Sequence, residues 1–221
     1  PINHVLAQIV EEVDSAEIKN FVSPRMDFSC DSVEKNGEEE VPVRVVAAGD
    51  QLTLGLQPGW ELKFEEVYHF LWSKAGNKFL TLANCGISGA GALDALLFLK
   101  RDILNYQPNI VFLNYGLNDA WLGQGALLAY EVLLEAVVKL IKPHAEVVLI
   151  TPIPHIPEAC PEKERPSDVD LTEVEIEAWV NAVKRVSLKT DTPVADAYAE
   201  FPQDKEERKK YLSNGFNQVN L

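Results

Sequence analysis

Four short stretches of the 221-residue chain carry the groups that could do chemistry. They are Gly49-Asp50-Gln51, Asn84-Cys85-Gly86-Ile87-Ser88-Gly89, Gly116-Leu117-Asn118-Asp119 and Thr151-Pro152-Ile153-Pro154-His155. His155 is the best candidate among them for a general base, and Ser88 and Cys85 are side chains able to attack an electrophile. Each also has a plainer reading: a loop histidine, a turn serine between glycines, and a small buried apolar cysteine. Asp50 and Asp119 either hold their loops through hydrogen bonds or exchange a proton. Gln51 is the odd member, because its amide neither attacks a carbonyl nor exchanges a proton near neutral pH. His4, His69 and His144 lie before the first helical stripe, within a helical pattern and in a helix-to-strand turn, and are expected to be exposed or structural.

The elements that must position these stretches follow from hydrophobic spacing. Apolar runs at 43–48, 78–84, 109–115, 146–151 and 192–196 read as strands. Helical patterns cover 60–74, 91–105, 122–142 and 171–189, and a charged, helical segment 197–212 follows. Continuous apolar strands alternating with helices argue for a parallel sheet covered on both faces. The loops after each strand then line one edge of that sheet, and all four reactive stretches fall there. An earlier stripe, Val5, Leu6, Ile9, Val10 and Val13, predicts an N-terminal helix, and the polar run from Ser29 to Glu40 reads as a linker. The expected organisation is residues 1–41 as helix and acidic linker, and residues 42–221 as the α/β domain. The N-terminal stripe either packs on its own domain or makes a homodimer or partner contact.

Taken in chain order, the stretches resemble the conserved blocks of the SGNH hydrolase superfamily, the GDSL esterases and lipases. The resemblance covers roughly residues 43–217. It implies a flavodoxin-like, three-layer α/β/α fold with a five-stranded parallel sheet. It also implies roles. Gly86 matches the glycine whose backbone N–H faces the oxyanion, Asn118 matches the asparagine whose side-chain amide does so, and the N–H of residue 51 is the third donor. The hydrolytic residues depart from the pattern. Gln51 stands where the family has its serine, and the nearest match to the family's Asp-x-x-His block is Asn214-Gly215-Phe216-Asn217. Asn214 and Asn217 would then replace the Asp and the His. No histidine follows His155, so the family's C-terminal base is missing however the tail is aligned.

Three accounts follow. The chain is a binding module that holds a small molecule through a carbonyl or carboxylate, on an oxyanion hole that has lost its nucleophile. Alternatively, it is a repurposed isomerase, lyase or cyclase in which those donors polarise a carbonyl while His155 or Asp119 exchanges the proton. Or it is an active esterase with a relocated nucleophile such as Ser88 or Ser213.

Composition narrows the partners. The formal net charge of −14, from 20 Lys+Arg against 34 Asp+Glu, argues against nucleic acid, which requires a basic face. Three cysteines suit a reducing compartment better than a disulfide framework. No apolar run reaches the length of about eighteen residues that a membrane span needs, so a soluble cytoplasmic protein is expected. No residue grouping has zinc-ligand spacing and no loop matches Gly-x-x-x-x-Gly-Lys, so no metal or cofactor is expected.

Overall fold

Short runs rich in β-branched and apolar residues build the strands of this protein. Its computed structural model describes residues 43–54, 80–154, 173–202, 204, 206 and 207. The expected N-terminal helix, the expected helix over 60–74, and His155, Asn214 and Asn217 lie outside the described residues. Strands β1 (Val43–Gly49), β2 (Leu80–Gly86), β3 (Ile110–Asn114), β4 (Glu146–Ile150) and β5 (Val194–Ala195) form one sheet. All neighbours pair in parallel, in the order β2-β1-β3-β4-β5. This is the flavodoxin-like order, whose topological switch point lies between β1 and β3. Val45 and Val46, adjacent in β1, are both buried, as a strand covered on both faces requires.

The helices among the described residues are α1 (Gln51–Leu54), α2 (Ala92–Leu97), α3 (Leu99–Asp102), α4 (Leu117–Ala120), α5 (Leu127–Ile141), α6 (Glu173–Thr190) and α7 (Ala197–Glu200). The crossovers from β2 to β3, β3 to β4 and β4 to β5 all step the same way across the sheet. A single handedness therefore puts their helices on one face, where α2 packs on α5 and α5 on α6. Tyr130, Leu134, Val138 and Ile141 of α5 and Ile176, Trp179, Val183 and Val186 of α6 form buried stripes at helical spacing. At the edge of that interface Glu131 accepts from Arg185 at 2.6 Å and from Lys189 at 2.8 Å. The Arg185 guanidinium holds the Glu131 carboxyl below the usual carboxylate range.

Several boundaries differ from expectation for local reasons. The single helix expected over 91–105 is α2, α3 and a 3-10 turn at Leu104–Tyr106, interrupted at Phe98 with φ −105° and ψ 10°. The helix expected from residue 122 begins at Leu127, after a left-handed turn at Gly123 and a 3-10 turn at Gln124–Ala126. α7 stops at Glu200 because Phe201 is extended, the conformation favoured before a proline, here Pro202. β5 shortens to Val194–Ala195, and β2 continues two residues past its expected end, to Gly86.

Parallel register brings Gly86 level with Gly49, directly beneath α1. A Cβ on Gly86 would fall inside the backbone of Thr53 and Leu54, so glycine here permits the close approach of β2 to α1. Gly86→Ala is expected to destabilise the fold by about 1–3 kcal/mol, read as a lowered Tm in thermal unfolding. Gly125→Ala serves as the control, since a Cβ there would meet nothing within 4 Å.

Candidate functional site

The site begins with a single helical turn held at both ends. Asp50 precedes α1, and its Oδ1 accepts the Leu52 N–H at 2.8 Å, satisfying an otherwise orphaned helix N-terminal donor. At the other end Asn84 Nδ2 donates to the carbonyls of Thr53 at 2.8 Å and Leu54 at 3.3 Å. The Oδ1 of the same asparagine accepts the Gly86 N–H at 3.0 Å, an Asx turn. The Ile87 N–H continues the pairing by donating to the Gly49 carbonyl at 2.9 Å. These bonds fix Gln51, the first residue of α1, in a position where it is only 5% exposed.

Gln51 reaches across the switch point. Its Oε1 accepts the Gly89 N–H at 3.0 Å and Asn118 Nδ2 at 2.9 Å. Gln51 Nε2 in turn donates to Asn118 Oδ1 at 3.4 Å, and Asn118 Nδ2 donates also to the Ala90 carbonyl at 3.0 Å. Asn118 is the second residue of α4, so the turn after β2 and the helix after β3 meet on one oxygen. Gly89 has φ +78°, a left-handed conformation that glycine adopts without a Cβ penalty. Two N–H donors converging at about 3 Å on a carbonyl oxygen are the arrangement that stabilises charge developing there. In this chain the oxygen they hold is that of Gln51 itself.

The glycine N–H that shares an acceptor with Asn118 is therefore that of Gly89. The Gly86 N–H, expected there from the resemblance, is directed to Asn84 instead. Gly86 is buried where β2 meets α1, whereas Gly89 lies three residues on, in the exposed 87–89 turn. Gly89, Asn84 and the Ala90 carbonyl are the participants that sequence reasoning missed. The Asn84-x-Gly86 spacing is a legible signal for the Asx turn, but three glycines within 86–91 leave the choice of donor open.

The candidate reactive side chains take different positions. Ser88 is exposed in the 87–89 turn. Cys85 is buried, which pushes its thiol up to about 11 and leaves it a poor thiolate donor. His144 is the only histidine among the described residues and lies between α5 and β4, at the sheet edge opposite the site. No group of His, Cys, Asp and Glu among the described residues could hold a metal ion, and no helix among them is long and apolar enough to cross a membrane.

Asp50 and Asp119 are both buried. Asp119 Oδ1 accepts the Ala92 N–H at 3.0 Å at the start of α2, while its Oδ2 is buried with no hydrogen-bond partner among the described residues. Burial raises the Asp50 carboxyl to about 7 against the opposing Leu52 N–H, and the Asp119 charge raises it further. Burial likewise raises Asp119 to about 6, opposed by the Ala92 N–H.

The fold defines a doubly wound α/β protein with its candidate site at the switch point. The model of the GDSL-like lipase/acylhydrolase family matches residues 47–217, and the chain belongs to this family. A lipase/acylhydrolase from Enterococcus faecalis superposes with a TM-score of 0.61 at 22% identity, covering 80% of this chain and 88% of that one. An acetylxylan esterase from Geobacillus stearothermophilus superposes with a TM-score of 0.56 at 19% identity, covering 72% and 79%. At these identities the likeness shows the fold. A sequence comparison with curated proteins found no match.

The raised Asp50 carboxyl has a consequence for stability. It binds its proton more tightly folded than unfolded, with values of about 7 against 3.8. Its contribution to stability is therefore greatest below the lower value, falls as pH rises between the two, and is constant above the upper one. Between about pH 5 and about pH 8, Asp50→Asn should remove on the order of 2 kcal/mol of pH dependence. Thermal unfolding of both proteins at the two pH values checks this: the parent's Tm should fall more steeply with rising pH than the variant's.

Proposed function

We propose that this chain is a non-hydrolytic member of the GDSL-like family. In this reading the Gly89 and Asn118 donors are a retained oxyanion hole, and the triad is lost at Gln51, Asn214 and Asn217. The site is kept to bind a small molecule through a carbonyl or carboxylate oxygen. One observation carries the reading: Gln51 Oε1 rests on both donors, at 3.0 and 2.9 Å. The position that must supply a nucleophile for hydrolysis instead supplies a carbonyl oxygen, which takes the place of a ligand.

The energetic argument points the same way. A serine needs an adjacent base to attack an ester, and amides provide neither group. Loss of a whole triad costs about 10⁶-fold in turnover, leaving about 10³–10⁴ over water from the remaining donors. Binding survives such a loss, whereas useful hydrolysis does not.

A second reading has its own observation. Asp119 is buried beside Asn118 with a carboxyl raised to about 6, near the range in which a general acid or base works at neutral pH. A carbonyl held by Gly89 and Asn118 could then be enolised or isomerised, with Asp119 exchanging the proton. Turnover of a carbonyl compound that disappears in Asp119→Asn would favour this account over simple binding.

The non-hydrolytic reading has a direct test. A fluorophosphonate probe is expected to label no serine, and p-nitrophenyl acetate is expected to be hydrolysed only at the background rate. Labelling of Ser88 or Ser213 would overturn it in favour of a relocated nucleophile. Gln51→Ser alone should recover little, because no base accompanies it. Combined with Asn214→Asp and Asn217→His, it should raise ester hydrolysis by at least about 10²-fold. A triple variant that folds without gain would show that Asn214 and Asn217 are not the displaced triad.

A further inference from the structure

The Gln51 and Asn118 carboxamides face each other head to tail. Asn118 Nδ2 donates to Gln51 Oε1 at 2.9 Å, and Gln51 Nε2 donates to Asn118 Oδ1 at 3.4 Å. A neighbouring backbone group fixes each orientation. The Gly89 N–H donates to Gln51 Oε1, while the carbonyl of the buried Ala90 requires a donor and finds Asn118 Nδ2. Turning Asn118 over would remove its bond to Ala90.

Whatever takes the place of the Gln51 side chain therefore meets two donors and, beside them, one acceptor. A carboxamide presents the complementary set, a carbonyl oxygen next to an N–H. A carboxylate presents only acceptors, so its second oxygen would be set against Asn118 Oδ1. The surroundings add a second bias. The buried Asp50 and Asp119 directly adjoin Gln51 and Asn118 in sequence, and neither forms an ion pair among the described residues. A negative ligand placed there is desolvated and repelled, with no compensating ion pair on either carboxylate among the described residues. The site is not sealed: Asn118 is half-buried, and the 87–89 turn that supplies the other donor is exposed.

We propose that this site takes an uncharged carboxamide, entering in exchange for the Gln51 side chain, and discriminates against carboxylates. The proposal rests on the reading that Gly89 and Asn118 form a ligand site, and it chooses between the two ligand classes which that reading leaves open.

Gln51→Gly vacates the seat, and propionamide reproduces the deleted side chain from Cβ outward. At about pH 8, where both carboxyls are largely ionised, propionamide should raise the variant's Tm. By calorimetric titration it should bind at least about tenfold tighter than propionate. Equal or tighter binding of propionate would overturn the carboxamide preference while leaving the ligand site standing. If neither compound binds the folded variant, the site itself is overturned. The isosteric Gln51→Glu carries the same comparison should the glycine variant not fold. At about pH 8 its Tm should lie below the parent's, because a carboxylate then faces Asn118 Oδ1. A Gln51→Glu protein as stable as the parent at that pH would overturn the proposal.

Discussion

Gln51 Oε1 takes one hydrogen bond from the turn after β2 and another from the helix after β3, while the backbone of Gln51 opens the helix after β1. The junction depends on register. Parallel pairing sets Gly49 opposite Gly86 on one side and Asn114 on the other, so three loops leave the sheet at one level. Asn84 then ties the end of α1 to β2 through both of its polar atoms. Each neutral hydrogen bond contributes only about 1 kcal/mol net. The larger constraint is that the Gln51 amide, which is buried, must be paired. With Gln51 removed, the Gly89 N–H and one proton of Asn118 Nδ2 lose their acceptor. The same groups that would hold a ligand thus hold three loops together.

The two buried carboxyls sharpen what kind of occupant this junction tolerates. Asp50 and Asp119 each satisfy a backbone N–H at a helix start, a favourable position for negative charge. Burial is nonetheless the largest influence on both and raises both. Each also lies next to a member of the amide pair. In a site that builds negative charge on an oxygen during reaction, buried carboxylates of this kind oppose the developing charge. A neutral amide at position 51 carries no such conflict.

Much of this arrangement was legible in the sequence, and the exceptions have physical reasons. The Val43–Ala48 run, the Gly-Asp turn after it and Asn118 at the end of a strand located three converging loops correctly, because strand ends follow from apolar length and turn residues. The family resemblance, rather than periodicity, implied a flavodoxin-like sheet, since neighbours in a parallel sheet are not encoded locally. Gly86 was the expected donor because a glycine match carries no information on where its N–H points. That direction depends on Asn84 capturing the Gly86 N–H and on the left-handed backbone of Gly89. The breaks at Phe98 and Leu127 were missed because apolar spacing continues across them. The seat of the Gln51 amide could not be read from one chain, since it depends on side chains 67 residues apart.

Covalent tethering sets the terms on which any external molecule can enter. Gln51 competes for the Gly89 and Asn118 donors as part of the same chain, at the high effective concentration that tethering confers. A free amide making only the same two or three hydrogen bonds gains nothing over it and loses translational freedom on binding. A successful ligand must therefore add contacts that the glutamine side chain does not make. The exposed Ile87 and Ser88, beside Gly89 in the same turn, are the nearest surfaces in sequence available for them. Selectivity is then divided between two parts of the ligand. The amide satisfies the inner donors and acceptor, while the remainder decides whether the built-in glutamine yields its place.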